Sequence, residues 1–436
     1  MTLAAYMANI TIDGAEAYQT IDGFGVNINA RYWADGKLAT VVDQLIDDLG
    51  ATLFRVDIWG TCDWPDPAGS IGPDALDADR LAAIYRGSVF RGGWALIRHL
   101  NARGIAPYLT CSGIVPAWMR AADDRTLADV ASYSTMVVSQ LRWALEQEGL
   151  QISLFCPLNE TDLGPPEGPA LSPAAYAATL AQIARDMDAA GLPTRFVAAE
   201  QASFNDQFIT AIRNEPDALR RIAVWGLHTY GTINAEMHAT VAAAADDIPR
   251  WMTEYGDLDQ TGDKEWYIAW LMTERLFDLL AHGFRAALVW DAFDNYHDHD
   301  QHWTIYGLLR TGLRAYTPKM RYYATRQLFA HIPPGWQRVA ASSPNDDLRV
   351  LAFANPERSE LTLVVMNGGV RPANINGLLS GFAAEIASKR VAVSRTSEHE
   401  RGHTIGPVSV TTRRWPYIGI DAIVPPGSIV TMTTMM

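Results

Sequence analysis

The sequence predicts an α/β protein in which a (β/α)8 barrel, of the TIM-barrel type, carries an accessory β-sandwich. Eight short apolar segments, typical of parallel strands buried on both faces, alternate with helical patterns over roughly 300 residues, as such a barrel requires. After about residue 330 the pattern changes to short segments rich in Thr and Val, which favours a β domain. The chain of 436 residues is long enough for both parts.

The segment 35–59 shows the repeating unit of the barrel. Its apolar residues recur at helical spacing from Leu38 to Leu49 and form one face of a helix. Gly50 stands where a helix C-terminal cap belongs, and the apolar run LFRVDIW follows as a buried strand. A doubly wound open sheet is the alternative, and it is disfavoured because no GxGxxG motif opens a helix. The eight strands are predicted at 22–28, 53–59, 106–111, 152–158, 195–199, 223–228, 249–253 and 286–290.

The two predicted domains are formed by different parts of the chain. The barrel is expected to span 20–328, and the side β-sandwich is expected to combine 1–19 with 329–436. The run RVLAFANPERSELTLVVMNGG reads as strand, turn and strand, and the early segment ITIDGAEAYQTIDG also has strand character. Because no repeat or low-complexity linker separates the two parts, we expect them to pack rigidly together.

The composition narrows the class of partner. Lys and Arg number 35 against 49 Asp and Glu, which gives a net charge of −14. This balance disfavours binding to nucleic acid or to an anionic membrane surface, and it suits a neutral partner such as a carbohydrate. The 14 Trp and 16 Tyr residues mostly fill cores, but they are also suited to stacking on sugar rings.

Cysteine usage and the N-terminus add two further expectations. Cys62, Cys111 and Cys156 are far apart and form no CxxC spacing, so neither a thiolate zinc site nor a disulfide scaffold is predicted. The sequence as a whole implies no cofactor. The first positive residue is Arg31, so the N-terminus lacks the basic segment of a signal peptide. This predicts a cytoplasmic protein, or a secreted one if a signal peptide has been removed. No apolar run approaches about 18 residues, so no transmembrane helix is expected.

Polar and aromatic residues cluster at the predicted strand ends, where (β/α)8 barrels place their active sites. The fourth strand ends in FCPLNETD, which presents Glu160, and the seventh ends in IPRWMTEYGD, which presents Glu254. Two glutamates that face each other across a sugar are what glycoside hydrolysis requires. The residues at these ends are Asn27, Asn29, Arg55, Asp57, Trp118, Asn159, Glu160, Glu200, His228, Tyr230, Glu254, Trp290 and Asp291.

The neighbours of the two glutamates predict their roles. A nucleophile must stay ionised, and Arg55 and the hydroxyl of Tyr230 could keep Glu254 charged. A general acid must stay protonated, which calls for apolar cover and no cation. Glu160 is preceded by the neutral Asn159, which can reach a sugar hydroxyl. These neighbours favour Glu160 as acid/base and Glu254 as nucleophile.

The chain resembles clan A of the glycoside hydrolases and, within it, glycoside hydrolase family 30. The matching segments are QTIDGFGVNIN (19–29), CSGIVPAWMR (111–120), PLNE (157–160), HTYG (228–231), MTEYG (252–256) and YYATRQLFAHIPPGWQRVAAS (322–342). The resemblance implies acid/base catalysis by Glu160, a nucleophilic Glu254 and retention of configuration. The prediction is therefore a retaining β-glycosidase that hydrolyses the O-glycosidic bonds of an oligosaccharide, a polysaccharide or a glycoside. The sequence also departs from the family, because Thr161 follows the Asn-Glu pair where the family often has Pro, so the substrate rules of its subfamilies are not transferred.

Several candidate residues have a structural alternative. Arg55, Asn27, Asp57, Asn159, Tyr230 and His228 are predicted to contact the substrate, although His228 could instead satisfy core hydrogen bonds. Trp118 and Trp290 are predicted to stack on sugar rings, with core packing as the alternative. Glu200 is interpreted as an ion-pair partner or a subsite residue.

Two other functions remain open. One is a non-catalytic carbohydrate-binding barrel, against which the intact pair of glutamates argues. The other is a metal-dependent hydrolase that uses the loop DNYHDHDQHW, where His297, His299 and His302 lie close together. We predict no metal there, because a polar loop that contacts sugar hydroxyls explains the same residues. Loops near 60–90 and 294–312 are expected to close one side of the cleft, which favours exo-action.

Overall fold

A computed structural model describes residues 4–57, 77–262, 264–297, 302–312, 315–409, 411–412 and 418–435. The strands of these residues are β1 (Tyr6–Thr20), β2 (Gly23–Asn29), β3 (Leu53–Asp57), β4 (Tyr108–Thr110), β5 (Leu154–Cys156), β6 (Arg195–Ala199), β7 (Ile222–Thr229), β8 (Arg250–Tyr255), β9 (Ala286–Val289), β10 (Asn295–His297), β11 (His302–Thr304), β12 (Leu309–Thr311), β13 (Tyr316–Pro318), β14 (Gln337–Ser342), β15 (Leu348–Ala354), β16 (Leu361–Asn367), β17 (Ala373–Ser380), β18 (Arg390–Ser397), β19 (Glu400–Ser409), β20 (Thr411–Thr412), β21 (Ile418–Val424) and β22 (Ser428–Thr433).

The α-helices lie mainly between the barrel strands, on the outside of the barrel. They are α1 (Ala39–Asp47), α2 (Ala78–Tyr85), α3 (Ser88–Ala102), α4 (Val130–Glu146), α5 (Pro173–Ala189), α6 (Gln207–Arg213), α7 (Pro216–Leu219), α8 (Ala235–Ala245), α9 (Glu265–Ala281) and α10 (Met320–Phe329). Short 3-10 helices lie at Ala30–Gly36, Ala117–Met119 and Ala384–Ser388. Within the described ranges, no helix combines the length and the apolar character that crossing a membrane requires.

The predicted fold class is confirmed. Strands β2 to β9 pair in parallel and in sequence order, and β9 pairs with β2, which closes an eight-stranded barrel. Strands β4 and β5 have three residues each, fewer than predicted. Pro107 stands just before β4 and Pro157 just after β5, and a proline has no N–H to donate to a neighbouring strand. The predicted end of the second strand, residues 58–59, lies outside the described residues.

The barrel interior is filled at one end by an apolar layer made only of residues from the barrel strands. Tyr108, Cys156, Val197, Trp251 and Leu288 belong to this buried cluster. Arg55, Glu200, His228 and Glu254 belong to the same strands or follow them closely, and they are buried nearer the C-terminal strand ends. The interior of the barrel therefore holds an apolar layer of side chains below a buried polar layer, as expected for a barrel whose interior is packed.

The accessory domain is a ten-stranded sheet in the order β19-β18-β22-β16-β15-β14-β1-β17-β21-β20. Strand β1 lies inside it, antiparallel to β14 and parallel to β17, so the early segment does join the C-terminal strands. Strands from distant places in this order contact each other, such as β19 with β21, which shows that the sheet folds over its own buried core. The limits given above for the two domains remain a prediction.

A buried polar contact ties the barrel to the accessory sheet. Gln327, on α10, is 2% exposed. Its amide donates to Thr396 Oγ1 at 2.8 Å and accepts from Ser394 Oγ at 2.9 Å, while its backbone carbonyl accepts from Thr431 Oγ1 at 2.7 Å. These bonds use both ends of the buried amide, so the contact favours one orientation of helix on sheet.

Candidate active site

The structure brings Glu160 and Glu254 together at the C-terminal end of the barrel. Glu160 lies four residues after β5, the fourth barrel strand, and Glu254 lies in β8, the seventh. One oxygen of each carboxylate lies within 4.8 Å of the other. The two residues are only 6% and 5% exposed, so their charges interact in a poorly hydrated environment.

Arg55 organises the polar layer around Glu254. Its Nη1 donates to Glu254 Oε1 at 2.6 Å and its Nη2 donates to Asn159 Oδ1 at 2.6 Å. The hydroxyl of Tyr230 donates to the other oxygen of Glu254, Oε2, at 2.7 Å. Both oxygens of Glu254 are therefore held, and the orientation of its carboxylate is fixed from two sides.

Two opposing effects act on the ionisation of Glu254. Burial raises the pKa of Glu254 above its usual value, and the nearby Glu160 raises it further. His228 and Arg55 act in the opposite direction, because each stabilises the carboxylate. Arg55 thus stabilises the charge of Glu254 as predicted, but the desolvation of the carboxylate has the larger effect on its pKa. The pattern of the strand ends could not reveal this desolvation.

His228 lies against Glu160, and this corrects one expectation from the sequence. Its Nδ1 is 2.6 Å from Glu160 Oε1, and the ring is fully buried. Burial lowers the pKa of His228, but Glu254, Glu160 and Glu200 raise it to about 10. Glu160 therefore does not lie under apolar cover away from cations. It shares a hydrogen bond with an imidazole that carries a proton readily, and the two are called the Glu160–His228 pair below.

The backbone at this end of the barrel is held in unusual conformations. Glu160 has a φ of 40° and Glu200 has a φ of 55°, both in the left-handed region that side chains other than glycine seldom adopt. The N–H of Glu160 donates to the carbonyl of Glu200 at 2.8 Å, which links the two strand ends. Gly226 leaves room for this arrangement, because a Cβ there would lie 2.3 Å from Glu200 Oε1.

The two glutamates face a cavity of about 230 Å³. Of the residues predicted from the sequence, Arg55, Asp57, Asn159, Tyr230 and Trp290 line it together with the glutamates. The additional described lining residues are Ser112, Leu163, Glu167, Ala202, Leu258 and Tyr306. Most of these lie in loops without helical or strand periodicity, so the pattern could not reveal them. Ser112 could have been predicted from the sequence, because it follows β4 in a segment that carries the family resemblance. Its hydroxyl donates to Asp57 Oδ2.

Three predicted site residues are not part of the described cavity wall. Asn27 supports the site from behind, since its amide donates to the carbonyl of Thr253 at 2.9 Å and its Oδ1 accepts from Arg55 at 3.0 Å. His228 is hydrogen-bonded to Glu160. Trp118 lies on a 3-10 helix and packs against the main hydrophobic core, which is the alternative given for it above.

Two groups of donors within the described ranges are close enough to raise the question of a metal ion. His238, Asp278 and His282 form one, but the two imidazole rings stack at 3.8 Å with planes 1° apart, so one ion cannot lie in both ring planes. Glu160, His228 and Glu254 form the other, where a metal ion would sit beside the guanidinium of Arg55. Because this cation would repel a metal ion, Glu160, His228 and Glu254 are better suited to proton chemistry than to metal binding. Residues 298–301 of the histidine loop lie outside the described residues.

Asp291 is a buried carboxyl group just after the last barrel strand. Burial raises the pKa of Asp291 well above its usual value, Asp294 raises it further, and Lys319 opposes this. Its Oδ2 accepts a hydrogen bond from the amide of Asn295, and its Oδ1 has no hydrogen-bond partner in the described part of the chain. In the folded protein Asp291 therefore keeps its proton at pH values that ionise it in the unfolded chain.

We expect Asp291→Asn to increase the free energy of unfolding at pH 7. Because the folded pKa lies above the unfolded value of about 3.9, stability is full below about pH 4 and falls as the pH rises towards the folded pKa. Asparagine cannot ionise, so this loss disappears, and each unit of pKa shift corresponds to about 1.4 kcal/mol. Thermal unfolding between pH 4 and pH 8 measures the difference from wild type.

The matched control for this variant is Asp294→Asn. Asp294 accepts from Lys319 Nζ at 2.7 Å, so its neutralisation leaves a buried cation without its partner and is expected to destabilise the protein at pH 7. A gain for Asp291→Asn that stays constant with pH, or a loss at pH 7, would contradict the assignment of a buried neutral carboxyl group.

No family model matches the sequence. Solved structures nevertheless share its fold. The chain is similar to a glycoside hydrolase family 30 subfamily 8 xylanase from Clostridium acetobutylicum, with 18% identity, a TM-score of 0.74, and 98% of this chain and 99% of that chain covered. It is also similar to an endo-beta1,6-glucanase, with 19% identity, a TM-score of 0.70, and 100% and 96% covered. A glucosidase from Croceicoccus marinus matches with 12% identity, a TM-score of 0.71, and 99% of each chain covered. At these identities the likeness shows the fold, and it agrees with the resemblance described above.

Proposed function

We propose that the protein is a glycoside hydrolase and, more specifically, a retaining β-glycosidase. The observation that carries this proposal is the pair of buried carboxylates, with an oxygen of Glu160 within 4.8 Å of an oxygen of Glu254 at the wall of one cavity. Retaining enzymes separate their carboxyl groups by about 5–5.5 Å, and inverting enzymes by about 6.5–9.5 Å to admit a water. The shared fold supports the same class, since the similar structures are named as a xylanase, a glucanase and a glucosidase.

In the first step of the proposed mechanism, Glu254 attacks the anomeric carbon. The hydrogen bonds from Arg55 and Tyr230 hold its carboxylate in place, and the bond from the sugar carbon to the leaving oxygen breaks. That oxygen takes a proton from the Glu160–His228 pair. The pair carries one acid proton, which lies between His228 Nδ1 and Glu160 Oε1, 2.6 Å apart.

In the second step, water hydrolyses the glycosyl-enzyme. The pair has lost its proton and now acts as the base, so it takes a proton from the attacking water while Glu254 leaves as a carboxylate. The proton given in the first step is thus recovered in the second. Two inversions at the same carbon leave the β configuration unchanged.

The cavity wall indicates the chemistry of the substrate. Among its described residues Arg55 is the one cationic side chain, and it is already engaged by Glu254 and Glu200. These residues therefore offer no unpaired cation that could bind an anionic sugar, and this favours a neutral sugar as the substrate. We propose that Asn159 and Asp57 bind sugar hydroxyls and that Trp290 stacks on a sugar ring. The preference for exo-action stays a prediction, because residues 58–76 and 298–301 lie outside the described ranges.

Proton NMR of a fresh reaction tests the mechanism. After a panel of nitrophenyl β-glycosides has identified a cleaved substrate, the first-formed sugar should be the β-anomer, with the α-anomer appearing later by mutarotation. If the α-anomer forms first, Glu254 is not a nucleophile and the retaining mechanism is wrong. The same assay with a chelator separates the metal-dependent alternative, since activity should be unchanged. If no glycoside or polysaccharide is cleaved, the non-catalytic carbohydrate-binding alternative is favoured.

A further inference from the structure

A third carboxylate, Glu200, lies beneath the candidate pair. It follows β6, it is fully buried, and its Oε2 accepts from Arg55 Nε at 2.9 Å. The same oxygen is 3.7 Å from His228 Nε2, on the side of the ring opposite Glu160. Burial raises the pKa of Glu200, but Arg55 and then His228 lower it to about 2. Glu200 is therefore ionised wherever the enzyme acts, and it touches both of the groups that hold the candidate catalytic carboxylates.

The other ionisable groups around Glu200 do not duplicate its charge. Glu160 and Glu254 face it through His228 and Arg55. Burial raises the pKa values of the remaining neighbours well above their usual range, so that these groups are neutral near pH 7. They are Tyr108 on β4, Cys156 on β5 and Tyr176 on α5. Among the described residues of the buried polar layer, Glu200 therefore supplies a negative charge that does not change near pH 7.

We propose that Glu200 is a positioning residue whose charge holds the acid proton on the Glu160–His228 pair and shares Arg55 with Glu254, and that it thereby sets both limits of the pH range of activity. This inference rests on the proposed function, because the two limits are those of a glycosidase with one acid and one nucleophile. The alkaline limit is the loss of the proton from the pair, and the acid limit is the protonation of Glu254.

The direction of both effects follows from the charge of Glu200. A negative charge 3.7 Å from His228 Nε2 makes it harder for the pair to lose its proton, so it moves the alkaline limit to higher pH. The same charge competes with Glu254 for the guanidinium of Arg55 and repels the carboxylate of Glu254. Both effects raise the pKa of Glu254, so the acid limit also moves to higher pH. Removal of the charge should therefore lower both limits together.

The test compares Glu200→Gln with wild type on a nitrophenyl glycoside between pH 4 and pH 11, so that the alkaline limit set by the pair falls inside the range. Glutamine keeps the shape and can still accept the hydrogen bond from Arg55, so the loss is one of charge. We expect both limits of kcat/KM to fall by about one pH unit or more. The matched control is Glu236→Gln, an exposed glutamate in the first turn of α8, which should leave both limits unchanged.

A second measurement needs no substrate. NMR titration of histidine labelled in the imidazole ring should show that the midpoint of His228 falls in Glu200→Gln and not in Glu236→Gln. If the limits and this midpoint stay in place while kcat falls, Glu200 has only a structural role and the inference is wrong. If Glu200→Gln does not fold, Glu200→Asp, which keeps the charge but withdraws it from His228, should shift both limits in the same direction by less; unmoved limits overturn the inference.

These outcomes distinguish the inference from the proposed function. If wild type cleaves no glycoside, the proposed function fails, and the titration of His228 still decides whether Glu200 holds its proton. If wild type is active and the limits do not move in the variant, the proposed function stands and the inference fails.

Discussion

Replacement of Glu254 by alanine is expected to lower kcat by about 10⁴- to 10⁶-fold, the range found when a nucleophile that works with its partners as a unit is removed. The loss should be equal for substrates with good and poor leaving groups, because the covalent intermediate cannot form at all. Azide that enters the vacated space should attack the same face of the sugar and restore turnover. The product should then be the α-glycosyl azide, since only one inversion takes place.

The control for this variant is Glu236→Ala, which removes a glutamate from the exposed surface of α8 and should leave kcat unchanged. Circular dichroism and thermal unfolding of Glu254→Ala separate lost chemistry from lost structure, since Arg55 loses one of its two buried carboxylates in this variant. A folded Glu254→Ala protein that keeps more than a few per cent of wild-type activity, or that forms a β-glycosyl azide, would remove Glu254 as the nucleophile.

Replacement of Glu160 by alanine is expected to have an effect that depends on the leaving group. For alkyl glycosides and oligosaccharides, whose leaving oxygen needs a proton, kcat/KM should fall by about 10²- to 10⁴-fold. For dinitrophenyl glycosides, whose leaving group departs without a proton, the first step should be nearly unaffected and the glycosyl-enzyme should accumulate. Azide should then react with this intermediate and give the β-glycosyl azide, because two inversions take place.

The opposite products of azide rescue provide the check on both assignments. If Glu160→Ala loses the same factor on activated and on unactivated substrates, its role is not that of an acid. His228 adds a second comparison, because its Nδ1 is the partner of Glu160 in the pair. In His228→Asn the preference for good leaving groups should increase in the same direction as in Glu160→Ala, but by a smaller factor.

The parts of this molecule that could be predicted from sequence are those that depend on local periodicity. The count of eight barrel strands, the change of pattern after residue 330, and the placement of Glu160 and Glu254 at the fourth and seventh strand ends all follow from neighbours along the chain. The ion pair between Arg55 and Glu254 was also expected, because barrel strands direct their ends towards a common centre.

The parts that could not be predicted depend on distances across the barrel. The contact of His228 with Glu160 joins residues 68 positions apart, and no pattern within either segment states which strand end its ring faces. The effect of burial on Glu254 has the same origin, since desolvation is a property of the closed barrel and not of the strand. The two alternatives for Trp118 have a related origin, because the same side chain can stack on a sugar or on a core, and here it packs against the core.

The position of β1 has a consequence for the order in which the protein is completed. Thr11 on β1 pairs with Ser342 on β14, 331 residues further along the chain, and the other neighbour of β1, β17, follows later still. At synthesis rates of about 5–20 residues per second, the first strand waits on the order of 15–65 s for its partner. Its backbone edges stay open during that time, while the whole barrel is made. Every barrel strand is therefore synthesised before β1 can pair with either of its neighbours, so the centre of the accessory sheet forms only after the barrel segments have been made.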